Sequence, residues 1–282
     1  MPLTSTRELL AVTATGPIAV AAFNVITLEY AEAILTGAER AGRPVILQLS
    51  ENATAFHGRN PRPLARAMAA LAEASAAPVS LHLDHVEDED LLHASADAGF
   101  SSVMFDAGRL PYVDNVSATA RAVQWAHERG LTVEAELGYV GGKDTQVSSA
   151  HAAGVRTDPV QAADFVAATG VDALAVAVGS SHAMRSRDAQ LDHELIHRLS
   201  AAVPVPLVLH GSSGVADDNL RAAIAAGMRK INIGTILSIA FTSGVRETLA
   251  ADPGLTDPRR YLSAGRDNLA DQVHALLRVV SP

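Results

Sequence analysis

The chain has no cysteine, which excludes disulfide bonds and thiolate metal ligands together. Any transition metal must therefore be held by histidine and carboxylates. Lysine is nearly absent as well: Lys143 and Lys230 are the only two, one in an expected loop and the other at the start of an expected strand. No apolar run approaches the roughly 18 residues that span a membrane. Charge blocks, Ser/Gly linkers and low-complexity tracts are also missing, so nothing marks a domain boundary, and residues 1–282 read as one domain. The formal net charge of −9 argues against nucleic acid or an anionic membrane as partner. It leaves phosphorylated small molecules open, since these need only a local cluster of donors. The Ala-rich stretch from Leu9 to Phe23 does not read as a signal peptide. Only Arg7 precedes it, Glu8 follows Arg7 directly, and Gly16-Pro17 interrupts it. A cytoplasmic protein is the expectation.

What is present is a repeating local pattern: an Ala-rich helical segment, a glycine, then a short apolar run. It occurs at ERAGRPVILQLS (39–50), ADAGFSSVMFDA (96–107), HERGLTVEAELG (127–138), AATGVDALAVAVG (167–179) and AAGMRKINIGT (225–235). Glycine after a helix supplies a left-handed cap, and the β-rich run after it reads as a strand. These runs are apolar almost throughout instead of alternating, as parallel strands covered on both faces are. Adding AVAAFNV (19–25), VSLHLDH (79–85) and PLVLHGSSG (206–214) makes eight strands. Helical spacing between them, as in Leu64-Met68-Leu71 and Leu220-Ile224, completes an α/β pattern that predicts a single (β/α)8 TIM barrel. A doubly wound sheet would need a glycine-rich turn after the first strand, where Phe23-Asn24-Val25 runs directly into ITLEYAE.

In such a barrel, catalytic residues sit where strands end. Those positions hold Asn24, Ser50, Asp84-His85, Asp106, Glu134 or Glu136, His182, His210 and Asn232. Of 11 histidines, His85, His182 and His210 end strands in three separate βα units. His82 lies inside its strand and is expected in a packed layer, and the others fall in helices or loops. Three converging imidazoles suit an open Zn²⁺ site with positions left for substrate oxygens. The alternative is that each is separately a core or capping residue. HGSSG (210–214) and NIGT (232–235) place backbone N–H groups and hydroxyls on the last two βα loops, where barrels often bind phosphate.

Taken in order, AFNV, QLS (48–50), LHLDH, VEAELGYVGG (133–142), GSSH (179–182), LHGSSG and KINIGT resemble the class II, zinc-dependent ketose-bisphosphate aldolases. The fructose- and tagatose-bisphosphate enzymes are the subgroup most similar. The resemblance runs from about Leu3 to the segment DPRRYLSAGRDN. It implies cleavage of a ketose 1-phosphate or 1,6-bisphosphate to dihydroxyacetone phosphate and an aldehyde through a zinc-stabilised enediolate. His85, His182 and His210 would bind the catalytic Zn²⁺, and Asp84 would act as acid/base on the hydroxyl of the carbon that becomes the aldehyde. Asp106 and Glu136 match positions for a second divalent metal or the displaced zinc, with a monovalent cation as a further expectation. Gly211, Ser212, Ser213, Asn232, Ile233, Gly234 and Thr235 match the donor-binding loops. Ser50 and Ala183 would lie near the acceptor side, with Asn24 lining the pocket. With no strand-end lysine for a Schiff base, the developing negative charge needs a Lewis acid. The resemblance also implies a homo-oligomer, a dimer or tetramer.

Four positions depart from the family pattern. Asp144 stands where a Glu serves as enolisation base, Ala183 where glycine is usual, Arg185 where an aromatic is usual, and Ile236 where the family has an acidic or polar residue. The expectation is an ordinary donor half and a relaxed acceptor half. A metal-dependent epimerase or hydrolase of sugar phosphates on the same barrel is the rival enzyme reading. A phosphate-binding relic without turnover is the non-enzymatic one.

Overall fold

Helix, glycine and apolar run recur in space as they do in sequence. In a computed structural model describing residues 3–138, 140 and 156–282, helix Leu28–Ala41 ends at Gly42 with φ 62° and helix Pro159–Thr169 at Gly170 with φ 70°. Only a residue without a Cβ adopts that backbone at no steric cost. The runs that follow form strands β1 Val20–Asn24, β2 Val45–Ser50, β3 Val79–Val86, β4 Ser102–Phe105, β5 Thr132–Leu137, β6 Ala173–Val176, β7 Leu207–Leu209 and β8 Met228–Ile233. They close in that order into a parallel barrel, with β8 pairing back onto β1. This is the expected (β/α)8 architecture.

β7 is shorter than its sequence suggests. The apolar run VLHGSSG leaves the wall after Leu209, turns at Gly211 (φ 66°) and forms a short 3-10 turn over Ser212–Gly214. A Cβ on Gly211 would fall 2.6 Å from the backbone of Ser181. Glycine is required here twice over, for its dihedral and for the close approach of the β6 and β7 loops.

The Ala-rich stretch from Leu9 to Phe23 holds the end of helix Thr6–Ala11, the 3-10 turn Val12–Thr15 and most of β1. The short helix opens on a Ser5/Glu8 capping box and lies under the barrel floor, where the Thr6 hydroxyl bonds Ser80 and Ser102. Among the described residues, no helix is long and apolar enough to cross a membrane.

The C-terminal helix Pro258–Val280 packs against helix Leu28–Ala41 at Gly37, where an added Cβ would lie 2.7 Å from Ala270 O and from Val273 Cβ. Overpacking against a backbone carbonyl costs about 1–3 kcal/mol, more than the roughly 1 kcal/mol that alanine gains over glycine in a helix. Gly37→Ala is therefore expected to lower the thermal midpoint by a few degrees in a calorimetric scan. A raised midpoint would show that the helix pair yields freely.

Candidate active site

Asp84 and His85 are consecutive, and a regular strand points consecutive side chains to opposite faces. The structure resolves this with a bulge. Leu83 pairs with Val103 and Val86 with Phe105, so β3 carries one extra residue against β4. His85 takes up the irregularity with φ 52°, a left-handed conformation that costs a non-glycine residue about 1–3 kcal/mol. The strand thus continues to Val86 instead of stopping at His85, and both side chains reach the barrel mouth.

His182 lies in the loop after β6, and His210 directly follows β7. The ring centroids of His85, His182 and His210 are 4.8, 5.3 and 5.7 Å apart. Glu136, from β5, joins them, and one ligand atom from each of the four residues lies within 4.8 Å of the others. Tetrahedral zinc with bonds of about 2.0–2.1 Å sets its ligand atoms about 3.4 Å apart. The donor set fits such an ion after side-chain shifts of about 1 Å. Asp106 occupies a different place: its Oδ2 is 2.9 Å from His85 Nδ1, and its Oδ1 accepts from the Gly108 N–H at 3.2 Å. It orients a histidine from behind, as carboxylates beside metal-binding imidazoles do.

Asp84 is buried. The Gln48 amide donates to its Oδ2 at 3.3 Å and to Asn24 Oδ1 at 2.7 Å, and the Asn232 amide lies 3.5 Å from its Oδ1. Burial by itself would raise the carboxyl pKa, but His85, His210 and Lys230 outweigh it and leave Asp84 below the usual aspartate value. An ionised carboxylate at neutral pH is what a general base requires. Gln48 entered the sequence reading only as part of the motif QLS and was given no role. Its signal was a polar residue inside the apolar run VILQLS, two positions before Ser50 and so on the same face.

One tier lower, Lys230 corrects a sequence expectation. It is the third residue of β8, fully buried in the barrel, where its Nζ lies 2.7 Å from Glu134 Oε2. The ion pair takes up the ammonium, so the conclusion that it is no nucleophile stands for a different reason. His82 is buried beside it with Nδ1 2.7 Å from Ser102 Oγ. Burial, reinforced by the Lys230 charge, pushes the His82 pKa down to about 3, so this ring is neutral.

A cavity of about 560 Å³ at the strand C-termini gathers Asn24, Ser50, Asp84, His85, His182, Ala183, Gly211, Ser212, Ser213, Asn232, Gly234 and Thr235. Ile233 does not line it, because alternation along β8 sends that side chain into the hydrophobic core. The Ser212 hydroxyl donates to Asn232 O at 2.6 Å, and the Ser213 hydroxyl accepts from the Ile236 N–H at 3.2 Å, tying the loops after β7 and β8 together. Of the four departures, Ala183 alone among the described residues borders the cavity. It holds φ 58°, the conformation for which glycine would be preferred. Arg185 is exposed, and Ile236 packs partly buried against the core. Asp144 and Lys143 lie outside the described residues. Asn52 and Phe56, which the sequence did not suggest, also line the cavity.

Three imidazoles and a carboxylate at the open end of a parallel barrel, beside an ionised aspartate, are the equipment of a metal-assisted barrel enzyme. The chain belongs to the class II fructose-bisphosphate aldolases, aldehyde-lyases that depend on zinc: the family model "Fructose-bisphosphate aldolase class-II" matches residues 4–281. It is 38% identical over 279 residues to the fructose-bisphosphate aldolase of Geobacillus stearothermophilus, covering 99% of this chain and 96% of that one. It is 37% identical to the probable fructose-bisphosphate aldolase of Bacillus subtilis strain 168, covering 99% and 97%. The crystal structure of the YdjI aldolase from Escherichia coli K12 superposes with a TM-score of 0.86 at 32% identity, covering 99% and 97%.

His210 carries a testable electrostatic signature. Burial opposes its charge, but hydrogen bonds to Glu134 and Glu136 raise its pKa to about 9. Zinc accepts only the neutral ring. If His210 is a ligand of the ion, filling the site at pH 7.5 is expected to release about one proton from it, and affinity should climb with pH until about pH 9. Calorimetric zinc titration in buffers of different ionisation heat measures this, and a proton count near zero would contradict the assignment.

Proposed function

We propose that the protein reversibly cleaves the C3–C4 bond of a ketose 1-phosphate or 1,6-bisphosphate, fructose 1,6-bisphosphate among them, to dihydroxyacetone phosphate and an aldehyde. The observation that carries this reading is the buried, ionised Asp84 held next to His85 in a cavity that the β7 and β8 loops also line. His85, His182 and His210 are the proposed ligands of the catalytic Zn²⁺, with Glu136 within reach of the same ion. Bound there, zinc supplies a Lewis acid for the negative charge that develops on the donor half.

The remaining work falls to the chain. Asp84 accepts the proton of the C4 hydroxyl as the C3–C4 bond breaks, and the bond's electrons pass to the donor half. In the reverse direction it returns that proton to the new hydroxyl. Gln48 and Asn232 hold the carboxylate on two sides, which limits its rotation. The N-terminus of helix Thr235–Ala251 opens on the cavity at Gly234-Thr235, where backbone N–H groups and the helix dipole favour a phosphate. Asp144 is the proposed group that exchanges the donor's carbon-bound proton. Ser50, Asn52 and Phe56 border the side left for the aldehyde.

Asp84→Ala should lower kcat for cleavage by about 10²–10⁴-fold while sparing zinc binding and exchange of the donor's carbon-bound proton with solvent. A coupled assay for dihydroxyacetone phosphate across a panel of ketose 1-phosphates tests the activity itself. Release from none of them, or full activity in chelator-stripped protein, would end the aldolase reading.

A further inference from the structure

Below the histidine cluster the barrel buries a pair of opposite charges that the chemistry at the mouth does not touch. Lys230, the only lysine among the described residues, is completely buried, and its ammonium sits 2.7 Å from Glu134 Oε2. The second oxygen of the same carboxylate, Oε1, is 2.9 Å from His210 Nε2. Glu134 is thus held on both sides, by a cation at one oxygen and an imidazole at the other. Stability does not explain such a pair, since an apolar pair of similar volume is commonly as stable or more so. Its geometry does suggest a use. Both ring nitrogens of His210 are flanked: Nε2 by Glu134 Oε1 and, at 3.0 Å, by Asn232 Nδ2, and Nδ1, the atom turned toward the cluster, by Glu136 Oε2 at 3.2 Å.

The two carboxylates are separated by one residue on β5, and alternation puts both inside the barrel. Glu136 flanks Nδ1 at the mouth, while Glu134 holds Nε2 from the side where Lys230 lies. The ring is clamped at both nitrogens, and only the Glu134 side is anchored by a fixed cation. Without Lys230, Glu134 would be a buried charge with an imidazole as its main partner, and it would be driven to rotate or take up a proton. Either change releases the ring.

We infer that Lys230 is a positioning residue for the metal centre: by anchoring Glu134 it fixes the place and plane of the His210 ring, so that Nδ1 is presented to the ion. The inference rests on the proposed zinc-binding role of the three histidines. It separates Lys230 from the nucleophilic lysines that barrel enzymes use for Schiff bases, since this ammonium never meets substrate.

The test is zinc affinity, measured by chelator competition on the full chain with zinc alone. Lys230→Met is expected to weaken binding about 10–100-fold, the range seen when the outer partner of a metal ligand is lost. That variant also leaves a buried carboxylate without its cation, and it could fold poorly. The double variant Lys230→Met/Glu134→Gln removes both charges and guards against this. Its thermal midpoint without zinc should return toward wild type, while its zinc affinity stays at least about tenfold weaker, because a neutral amide without the anchoring cation no longer holds the ring in place. Recovery of wild-type affinity within about threefold in the folded double variant would assign the pair a purely structural role and overturn the inference. If wild type itself shows no tight zinc site, the proposed function fails first and takes this assignment with it. The two failures are therefore distinguishable.

Discussion

A regularly pleated strand cannot aim two successive side chains into one cavity, yet Asp84 and His85 both line the mouth of this barrel. The single extra residue in β3 relieves the constraint, and much of the site follows from it. Before the bulge, Asp84 keeps the inward direction set by the strand and meets Gln48 and Asn232 from neighbouring walls. At the bulge, His85 swings toward Asp106 at the end of β4 and closes on His182 and His210. The left-handed backbone of His85 is tolerated because pairing resumes at Val86–Phe105 and pins the strand on the far side.

Polar residues inside the barrel occupy two tiers, and alternation along three strands generates both. His82 and Asp84 on β3, Glu134 and Glu136 on β5, and Lys230 and Asn232 on β8 are each two residues apart. The lower tier holds one neutral imidazole and one ion pair. The upper tier holds the groups that face the cavity. A low-dielectric interior strengthens each contact and penalises each unmet group. The lower tier therefore works as a rigid base that sets charge and orientation above it: Lys230 contributes to the lowered pKa of Asp84, and Glu134 to the raised pKa of His210.

The three departures that fall within the described residues separate once placed in space. Ala183 borders the cavity and occupies a left-handed conformation, so its cost is conformational and local to the histidine beside it. Ile236 has its side chain against the core, and what it offers the loop after β7 is a backbone N–H to Ser213. Arg185 is exposed away from the lining residues. A relaxed acceptor side therefore finds less support in these positions than their place in the sequence suggested.

Much of the architecture was legible from residue order alone. Glycine after each helical segment and unbroken apolar runs mark parallel strands covered on both faces, because helix caps and two-sided burial are local or compositional effects. Asp84, His85, His210 and Asn232 were legible as polar residues at the ends of those apolar runs, whereas His182, expected at a strand end, stands in the loop beyond β6; the absence of cysteine left imidazole and carboxylate as the available metal donors. Register between strands distant in sequence was not legible. It decided that β3 bulges against β4, that Asp106 backs His85, that Gln48 lies between Asn24 and Asp84, and that Lys230 reaches across the barrel to Glu134. Each of these depends on which residues of separate strands stand level, and only closure of the barrel sets that alignment.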